Sequence, residues 1–421
     1  MSNFFESSFA KKLQGYGEKF SGNQYLSAIT SGLMIAMSTI MVGAICQILS
    51  VIPFPDTVKA ILTVPYNMTT GILALIAAFS IAFVLAGSLK QKPLSNAIMS
   101  AALFLMVAAP AQSVTLENGS SMTVMDTSSL GGIGLFTAII IALLSVRITK
   151  FCKDKNIIIR MPDVVPQFLA DSFSNIIPLL INVIIFHGLN TILQYTVNMT
   201  LPLAIMYVLA IPLSFLTSTV GIFIVALFAL ILWIFGIHGT MIIMSLMLPS
   251  YMQAVMSNAE LVAAGADPVF TPVLMVFQIA AVGGTGCTLG LAILGWRSKS
   301  EQIKAVSRAG LVPGLCNINE PISFGMPIVY NPILAIPYVI TPIVMMLIYY
   351  LGMSVGILKA PHILMVSILP LGVGEFLGTL SWTNVLFPFL MIPVTMLIYY
   401  PFFKIYENQL VTKEAALKES A

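Results

Sequence analysis

The stretch TVGIFIVALFALILWIFGIHGTMIIMSLML, from Thr219 to Leu248, contains no aspartate, glutamate, lysine or arginine. A helix needs about 20 apolar residues to cross a bilayer, so this stretch is long enough. The whole chain has the same character, because 58% of its 421 residues are hydrophobic and 8% are charged, whereas soluble domains carry about 25% charged residues. Membrane β-barrel strands alternate apolar and polar residues, and this sequence does not. We therefore predict an all-α polytopic membrane protein.

About ten transmembrane helices are predicted from the apolar segments. They are 25–52, 60–89, 94–112, 131–149, 174–195, 199–217, 219–248, 273–295, 333–355 and 384–403. Lysine and arginine cluster in alternate loops, at 11–19, 90–92, 147–160, 297–308 and 404–418. Loops rich in these residues face the cytoplasm, so both termini are predicted to be cytoplasmic. Gly286 and Gly290 form a GxxxG pair, which favours close helix packing within the eighth span.

Two further segments are too irregular to be straight spans. Residues 309–332 and 361–383 combine prolines, glycines and one glutamate each. Broken backbone at membrane depth is tolerated only against protein or water, so we predict two re-entrant hairpins that line a cavity. Residues 1–20 have the pattern of an interfacial helix, and 154–173 that of a surface helix. The loop 113–126 alternates around an Asn-Gly pair, which predicts a β-hairpin.

These features divide the chain into four predicted parts. An N-terminal transmembrane bundle covers 1–153, an amphipathic linker 154–173, a C-terminal domain 174–404 and a tail 405–421. The tail is too short for a soluble catalytic domain. No nucleotide-binding or nucleic-acid-binding motif is recognisable. The four cysteines form no CxxC pair and have no accompanying histidine cluster, so we expect no metal site and no cofactor.

Glu320 is the most informative polar position. It lies in PGLCNINEPISFGMPIVYNP, from Pro313 to Pro332, where a carboxylate at membrane depth costs a few kcal/mol and marks a candidate functional site. Pro321 is expected to keep Glu320 outside a helix. Asn317 and Asn319 add amide donors and acceptors, and such a set suits a polyol with neighbouring hydroxyls. The alternative is a glutamate satisfied by a partner helix, without a ligand.

His238 is the second candidate, in the sequence WIFGIHGTMII. Glycines on both sides allow a ligand or backbone to approach closely, and imidazole can both donate and accept a hydrogen bond. A helix–helix hydrogen bond is the alternative for this histidine. Trp233 and Trp382 are candidates for stacking on a sugar ring, while packing or anchoring at the membrane interface remains open for both.

Four motifs together resemble a known family. They are MPDVVPQFLADSFSNIIP, GIHGT, GGTGCTLGL and PGLCNINEPISFGMPIVYNP, all in the second half of the predicted layout. The chain resembles the IIC membrane component of bacterial phosphoenolpyruvate-dependent sugar phosphotransferase systems, of the lactose/cellobiose/chitobiose family. One departure is Cys316, where the family leads us to expect a bulkier apolar residue. The N-terminal half resembles the family in layout only.

The resemblance implies a permease subunit of the bacterial cell membrane that carries a β-linked disaccharide, with cellobiose or diacetylchitobiose as leading candidates and lactose as a third. It implies a homodimer formed through the N-terminal helices, with the sugar held by 174–404. A phosphocysteine on a IIB partner would phosphorylate the sugar 6-hydroxyl. Glu320 and His238 would contact that hydroxyl as catalytic residues, and Asn317 and Asn319 would bind neighbouring hydroxyls. The short tail leads us to expect IIB as a separate soluble polypeptide.

Two other functions remain in competition with this one. An ion-coupled secondary sugar transporter would also use broken helices and midplane polar groups, with Glu320 and His238 as proton carriers. Proton-driven uptake without any IIB protein would distinguish it. A channel would need a polar-lined pore, and no predicted span carries a polar stripe.

Overall fold

The computed structural model describes residues 23–50, 54–115, 120–162, 164–365 and 369–419. These residues are mostly helical, as predicted. Contacts divide them into an amino-terminal unit, 23–213, and a carboxy-terminal unit from 214 onward. The predicted interfacial helix, 1–20, lies outside the described residues.

The amino-terminal unit is built around one helix of small residues. Its helices are α1 (Gln24–Ile35), α2 (Met37–Ser50), α3 (Asp56–Asn67), α4 (Leu73–Ser88), α5 (Pro93–Ala108), α6 (Leu135–Asp154), α7 (Gln167–Ser174), α8 (Ile176–Val197) and most of α9 (Leu201–Leu216). Helix α4 packs against α1, α5 and α6. Its alanines let neighbouring backbones approach closely, so that Ser100 of α5 donates a hydrogen bond to the Ala78 carbonyl at 2.8 Å. The predicted first span, 25–52, is divided between α1 and α2.

A β-hairpin interrupts this helical unit, and it confirms the sequence prediction for 113–126. Strands β1 (Ala111–Thr115) and β2 (Ser121–Met125) pair antiparallel, with Ser113 opposite Thr123. Both strands are exposed along their length. The turn between them, 116–119, lies outside the part of the chain that the structure describes.

Within the predicted linker region, α7 is a short helix that follows an irregular stretch. Asp171 of α7 forms an ion pair with Lys92 at 3.1 Å, at the start of α5. The contact division falls after Leu213, within α9, rather than at 154–173. Packing contacts alone do not define functional parts, so the domain boundaries remain a prediction.

The carboxy-terminal unit alternates long helices with short, broken ones. Its helices are α10 (Thr219–Ile234), α11 (Gly239–Ala263), α12 (Leu289–Gly295), α13 (Glu301–Leu315), α14 (Glu320–Gly325), α15 (Pro332–Ser354), α16 (Val373–Thr379) and α17 (Trp382–Glu419), with a 3₁₀ helix at Pro272–Ala280. The core of this unit includes Leu230, Leu291, Ile322 and Tyr399.

Two predicted spans of this unit are wrong as continuous helices. The segment 219–248 is divided at 235–238, where Gly236 adopts a positive φ of 78° that a helix does not allow. The segment 273–295 is a 3₁₀ helix, a turn and then α12. Gly286 has a φ of 88° in that turn, so it is not part of a helical GxxxG pair. Glycine tolerates this conformation because it has no Cβ.

The predicted number of spans is only partly supported. Among the described residues, five helices are long and apolar enough to cross a membrane, or seven if each of two bent helix pairs forms one span. Helix α5 is apolar but shorter. The multi-span helical architecture is therefore observed, whereas the count of about ten is not confirmed. The divided segments 219–248 and 273–295 account for part of the difference.

Both predicted irregular segments are broken as expected. The segment 309–332 contains the end of α13, a turn, α14 and a second turn before α15. The segment 361–383 returns on itself, because the backbone N–H groups of His362 and Ile363 both donate to the Gly378 carbonyl. The two segments also meet, since the Leu371 N–H donates to the Leu315 carbonyl at 2.8 Å. Their re-entry into a membrane stays a prediction.

The second half of α17 holds the turn that precedes α13. Glu407 is 2% exposed, and its Oε1 accepts hydrogen bonds from Ser298 Oγ at 2.6 Å and from the Lys299 N–H at 2.9 Å. Seven residues later, Glu414 Oε1 accepts from Ser300 Oγ at 2.6 Å. The two carboxylates lie two helical turns apart, so one face of α17 binds the start of α13. The predicted tail 405–421 is thus helical as far as Glu419.

Candidate functional site

Glu320 is the first residue of α14, just after a tight turn. Asn317 adopts a φ of 59° in that turn, and Asn319 is the N-cap of α14. The expectation that Pro321 keeps Glu320 out of a helix is wrong. Pro321 lies in the first turn of α14. Backbone N–H groups in the first turn have no carbonyl partner within the helix, so a proline there costs no helical hydrogen bond. The proline therefore helps to start the helix at Glu320.

His238 lies at the break between α10 and α11. It is the N-cap of α11, and its Nδ1 accepts a hydrogen bond from the Met241 N–H at 3.3 Å. A ring nitrogen that accepts carries no proton, so neutral His238 has its proton on Nε2. The local backbone is free to form this break because Gly236 precedes it with a positive φ.

The structure brings His238 and Glu320 together. His238 Nε2 lies 3.7 Å from Glu320 Oε1, and the two side chains are 36% and 46% exposed. The distance exceeds a normal N–H···O hydrogen bond, so neither group is saturated by the other. A hydroxyl can therefore contact both atoms, accepting from Nε2–H and donating to the carboxylate.

The ring of Trp233 packs against the ring of His238. The two rings are 4.5 Å apart between centroids, and the indole is 2% exposed. Phe324 and Tyr338 also contact the indole ring, and Trp233 Nε1 donates to Thr240 Oγ1 at 3.2 Å. The predicted contact of Trp233 with a sugar stays a prediction, and this burial favours a supporting role.

Asn317 and Asn319 both precede Glu320 and pack on a glycine turn, residues 283–286. Asn317 Oδ1 accepts a hydrogen bond from the Gly283 N–H at 3.0 Å. A Cβ on Gly284 would lie 2.7 Å from the backbone nitrogen of Asn319, so only glycine fits there. Asn319 is 4% exposed, and its Nδ2 donates to Ser323 Oγ at 2.8 Å. Part of each amide is therefore used to shape the turn, and sugar contacts by these asparagines stay a prediction.

Trp382 is placed differently from the other candidates. It is 71% exposed at the start of α17, and its ring packs on Phe376 at 4.9 Å between centroids. Its predicted role in substrate binding stays a prediction.

Sequence reasoning did not identify several residues that shape this site. Thr240 and Thr285 are joined by a hydroxyl–hydroxyl hydrogen bond of 2.7 Å, and Tyr399 donates from its hydroxyl to the Gly286 carbonyl at 2.8 Å. The Tyr338 ring lies directly against Gly286, where any Cβ would overlap it. The glycines around Thr285 were the only local sequence feature that pointed to these contacts. They indicate that other parts of the chain approach the backbone closely, but not which residues do so.

The described residues contain no group of three or more His, Cys, Asp or Glu side chains that could hold a metal ion. The four cysteines are free thiols. The candidate site itself contains one carboxylate, one imidazole and neighbouring amides. Such groups bind and orient a polyhydroxylated neutral ligand and can accept a hydroxyl proton.

Known proteins are similar to this chain in sequence and in fold. The family model described as "Phosphotransferase system, EIIC" matches residues 30–342. The permease IIC component YwbA of Bacillus subtilis (strain 168) is 34% identical over 97% of this chain and 96% of its own length. The lactose-specific EIICB component of Streptococcus mutans serotype c (strain ATCC 700610 / UA159) is 33% identical over 98% of this chain and 74% of its own length.

A solved structure extends the likeness to three dimensions. It is the crystal structure of the transporter ChbC, the IIC component from the N,N'-diacetylchitobiose-specific phosphotransferase system. The match has a TM-score of 0.89 and 30% identity, and it covers 98% of this chain and 99% of that one. The family model matches residues 30–342 and these relatives cover nearly the whole chain, and we conclude that the chain belongs to the phosphotransferase system EIIC family.

Proposed function

We propose that this chain is the IIC permease subunit that carries a β-linked disaccharide and presents its 6-hydroxyl to a separate phospho-IIB protein. As an EIIC protein it is an integral membrane, multi-pass sugar permease of a bacterial phosphotransferase system, and it works with a IIB partner. The observation that supports the disaccharide and 6-hydroxyl parts of the proposal is the separation of His238 Nε2 from Glu320 Oε1. The two atoms lie 3.7 Å apart, which leaves both able to bind a hydroxyl.

The substrate class follows from the relatives and from the groups in the site. The relatives named for lactose and for N,N'-diacetylchitobiose act on β-linked disaccharides. Amides and a carboxylate beside a partly exposed imidazole can hydrogen-bond several neighbouring hydroxyls of such a sugar. Cellobiose and diacetylchitobiose are the leading candidates, with lactose as the third.

In the proposed reaction, the 6-hydroxyl lies between His238 and Glu320. Nε2–H of His238 donates to the hydroxyl oxygen, and Glu320 accepts its hydrogen bond. The hydroxyl oxygen forms a bond to phosphorus while the bond from phosphorus to the IIB cysteine sulfur breaks and the thiolate leaves. The hydroxyl proton passes to the Glu320 carboxylate. Phosphoryl transfer depends mainly on such positioning and charge placement.

Product release is part of this proposal. A sugar phosphate is negatively charged, and close like charges disfavour each other in a medium of low dielectric constant. Glu320, once it has lost the proton again, repels the product. Phosphorylation would thereby give direction to transport. The homodimer, the cytoplasmic position of both termini and the division into 1–153 and 174–404 are further parts of the proposal.

The deciding experiment uses Glu320→Gln, which keeps the shape of the side chain and removes its charge. Purified variant protein in lipid vesicles is mixed with phospho-IIB and radiolabelled disaccharide, and sugar phosphate is counted. We expect sugar binding to persist and sugar-phosphate formation to be lost. Glu260→Gln, an exposed position on α11, is the matched control. Normal sugar-phosphate formation by Glu320→Gln would refute the proposed role.

The same vesicles test the ion-coupled alternative. In that mechanism a proton gradient would drive accumulation of unmodified disaccharide without any IIB protein. Our proposal predicts no gradient-driven accumulation, and release of sugar only as its phosphate when phospho-IIB is present. The matching EIIC family model disfavours the ion-coupled alternative.

A further inference from the structure

A pair of threonine hydroxyls links the two chain breaks that carry His238 and Glu320. Thr240 Oγ1 lies 2.7 Å from Thr285 Oγ1, and Trp233 Nε1 donates to Thr240 Oγ1 at 3.2 Å. Either hydroxyl can be the donor in this bond, because each has one proton and two acceptor lone pairs. Thr285 is 3% exposed, so this bond lies away from bulk solvent, where it is strongest.

One end of this bridge fixes His238. Thr240 lies two residues after His238, in the first turn of α11. Its partner Trp233 carries the imidazole ring at 4.5 Å between centroids. The backbone between Trp233 and His238 includes Gly236, whose positive φ marks a break rather than a stiff helix. The bridge therefore supplies rigidity that the backbone lacks at this point.

The other end fixes the turn that carries Glu320. Thr285 lies between two glycines of positive φ, Gly284 and Gly286. Gly284 packs on the backbone of Asn319, the residue before Glu320. The adjoining Gly283 N–H donates to Asn317 Oδ1 at 3.0 Å. A displacement of Thr285 is therefore passed directly to the turn at Asn317 and Asn319.

We propose that Thr240 and Thr285 are positioning residues that set the separation of His238 from Glu320. The inference rests on the proposed function. Within the described residues, neither threonine hydroxyl forms a hydrogen bond with His238 or Glu320. Removing the bridge lets the two breaks move independently, and a misplacement of about 1 Å can cost about 100-fold in rate. Sugar binding through several hydroxyls tolerates such a shift better than the transfer step does.

The turn has other supports, so loss of one hydroxyl should leave the protein folded. Tyr399 donates to the Gly286 carbonyl, Thr288 Oγ1 donates to the Gly283 carbonyl, and the Tyr338 ring packs against Gly286. These contacts remain in a Thr285→Val variant. A defect confined to phosphoryl transfer is therefore distinguishable from unfolding.

The experiment compares Thr240→Val, Thr285→Val, the double variant and Thr285→Ser in vesicles with phospho-IIB. We expect sugar-phosphate formation at saturating sugar to fall about 10- to 100-fold in each valine variant, and the Kd for disaccharide to change less than about threefold. The double variant should be no worse than Thr240→Val, because Thr240→Val already removes the bond to Thr285 together with the acceptor of Trp233 Nε1. Serine keeps the hydroxyl and should restore most activity.

Thr341→Val is the matched control. Thr341 is fully buried in α15, and within the described residues its hydroxyl has no hydrogen-bond partner, so valine should leave transfer unchanged. The inference is overturned if both valine variants transfer normally, if Kd and transfer fall together, if serine does not rescue, or if neither valine variant folds. Normal transfer by Glu320→Gln would instead overturn the proposed function, and the inference with it.

Discussion

His238 Nε2 and Glu320 Oε1 lie 3.7 Å apart, and each residue stands at the beginning of a helix. Helix starts leave backbone N–H groups without helical partners and allow abrupt changes of chain direction. Both side chains therefore project from ends rather than from helix faces. This arrangement lets two groups distant in sequence share one ligand atom.

The dual use of the His238 ring gives the first prediction. Nδ1 caps α11 by accepting from the Met241 N–H, while Nε2 faces Glu320. Asparagine is a good N-cap residue but does not extend as far. We expect His238→Asn to keep stability within about 1 kcal/mol and to lower sugar-phosphate formation about 100-fold.

His238→Ala serves as the comparison, since it removes the cap and the Nε2 group together. It should lose transfer to the same degree and in addition lose about 1 kcal/mol in the free energy of unfolding. Thermal unfolding in detergent and the vesicle assay measure the two effects separately. Full transfer activity in His238→Asn would show that Nε2 has no part in the reaction.

A second prediction concerns Gly284. An added Cβ would lie 2.7 Å from the Asn319 nitrogen and 2.8 Å from the Asn317 carbonyl oxygen, at a φ of 76°. Gly284→Ala should therefore displace the turn before Glu320 and weaken disaccharide binding at least tenfold. Equilibrium binding of radiolabelled sugar to the purified protein measures the effect.

Gly265→Ala isolates the conformational part of that change. Gly265 has a φ of 78°, but nothing lies within 4 Å of its Cβ position. Both variants incur the cost of a left-handed backbone, about 1–2 kcal/mol. Only Gly284→Ala adds the steric overlap. Equal sugar binding by the two variants would contradict the packing described for the glycine turn.

The third prediction concerns the anchor of α17. Glu407 is buried and accepts hydrogen bonds from Ser298 Oγ, the Lys299 N–H and, through Oε2, Lys404 Nζ at 2.7 Å. Glu407→Ala leaves these donors without an acceptor, so the free energy of unfolding should fall by about 2–4 kcal/mol. Glu407→Gln keeps one acceptor oxygen, so its free energy of unfolding should fall less. A melting temperature of Glu407→Ala equal to that of Glu260→Gln would exclude this role.

The fourth prediction concerns Tyr399, which is fully buried and donates to the Gly286 carbonyl. Tyr399→Phe removes the donor without changing the ring, so the loss of stability should be about 1–2 kcal/mol. Sugar binding should weaken modestly, since the turn at 283–288 supports Asn317. Tyr400→Phe, on the exposed neighbouring position, is the control. A smaller effect at Tyr399 than at Tyr400 would count against the proposed support.

Some of the long apolar helices, and the choice of Glu320 and His238 as candidate residues, follow from the sequence for definite physical reasons. Predicted span 333–355 corresponds to α15, and 174–195 to α8, because long apolar runs leave helix as the stable form in lipid. One isolated glycine in each, Gly352 and Gly188, does not break the helix. Glu320 and His238 stood out because ionisable groups are costly in such surroundings. Their proximity to each other came from the family resemblance rather than from either motif alone.

The chain breaks were not predictable in the same way. Hydropathy records the apolar character of 219–248 but not the positive φ at Gly236. Likewise, Gly286 and Gly290 have the spacing of a helical pair, while the fold uses Gly286 as a turn against Tyr338. The bond between Thr240 and Thr285 joins positions 45 residues apart, and no local pattern records such a partner.

The attachment of α17 to the start of α13 has a mechanical consequence. Helix α13 has 15 residues and is therefore about 22 Å long. Glu407 and Glu414 accept hydrogen bonds at its first end, and the turn that carries Asn317 begins just after its other end. One continuous helix thus separates the hydrogen bonds of Glu407 and Glu414 from the turn before Glu320 by about 22 Å, so the final turns of α17 and the candidate site are joined through a single element.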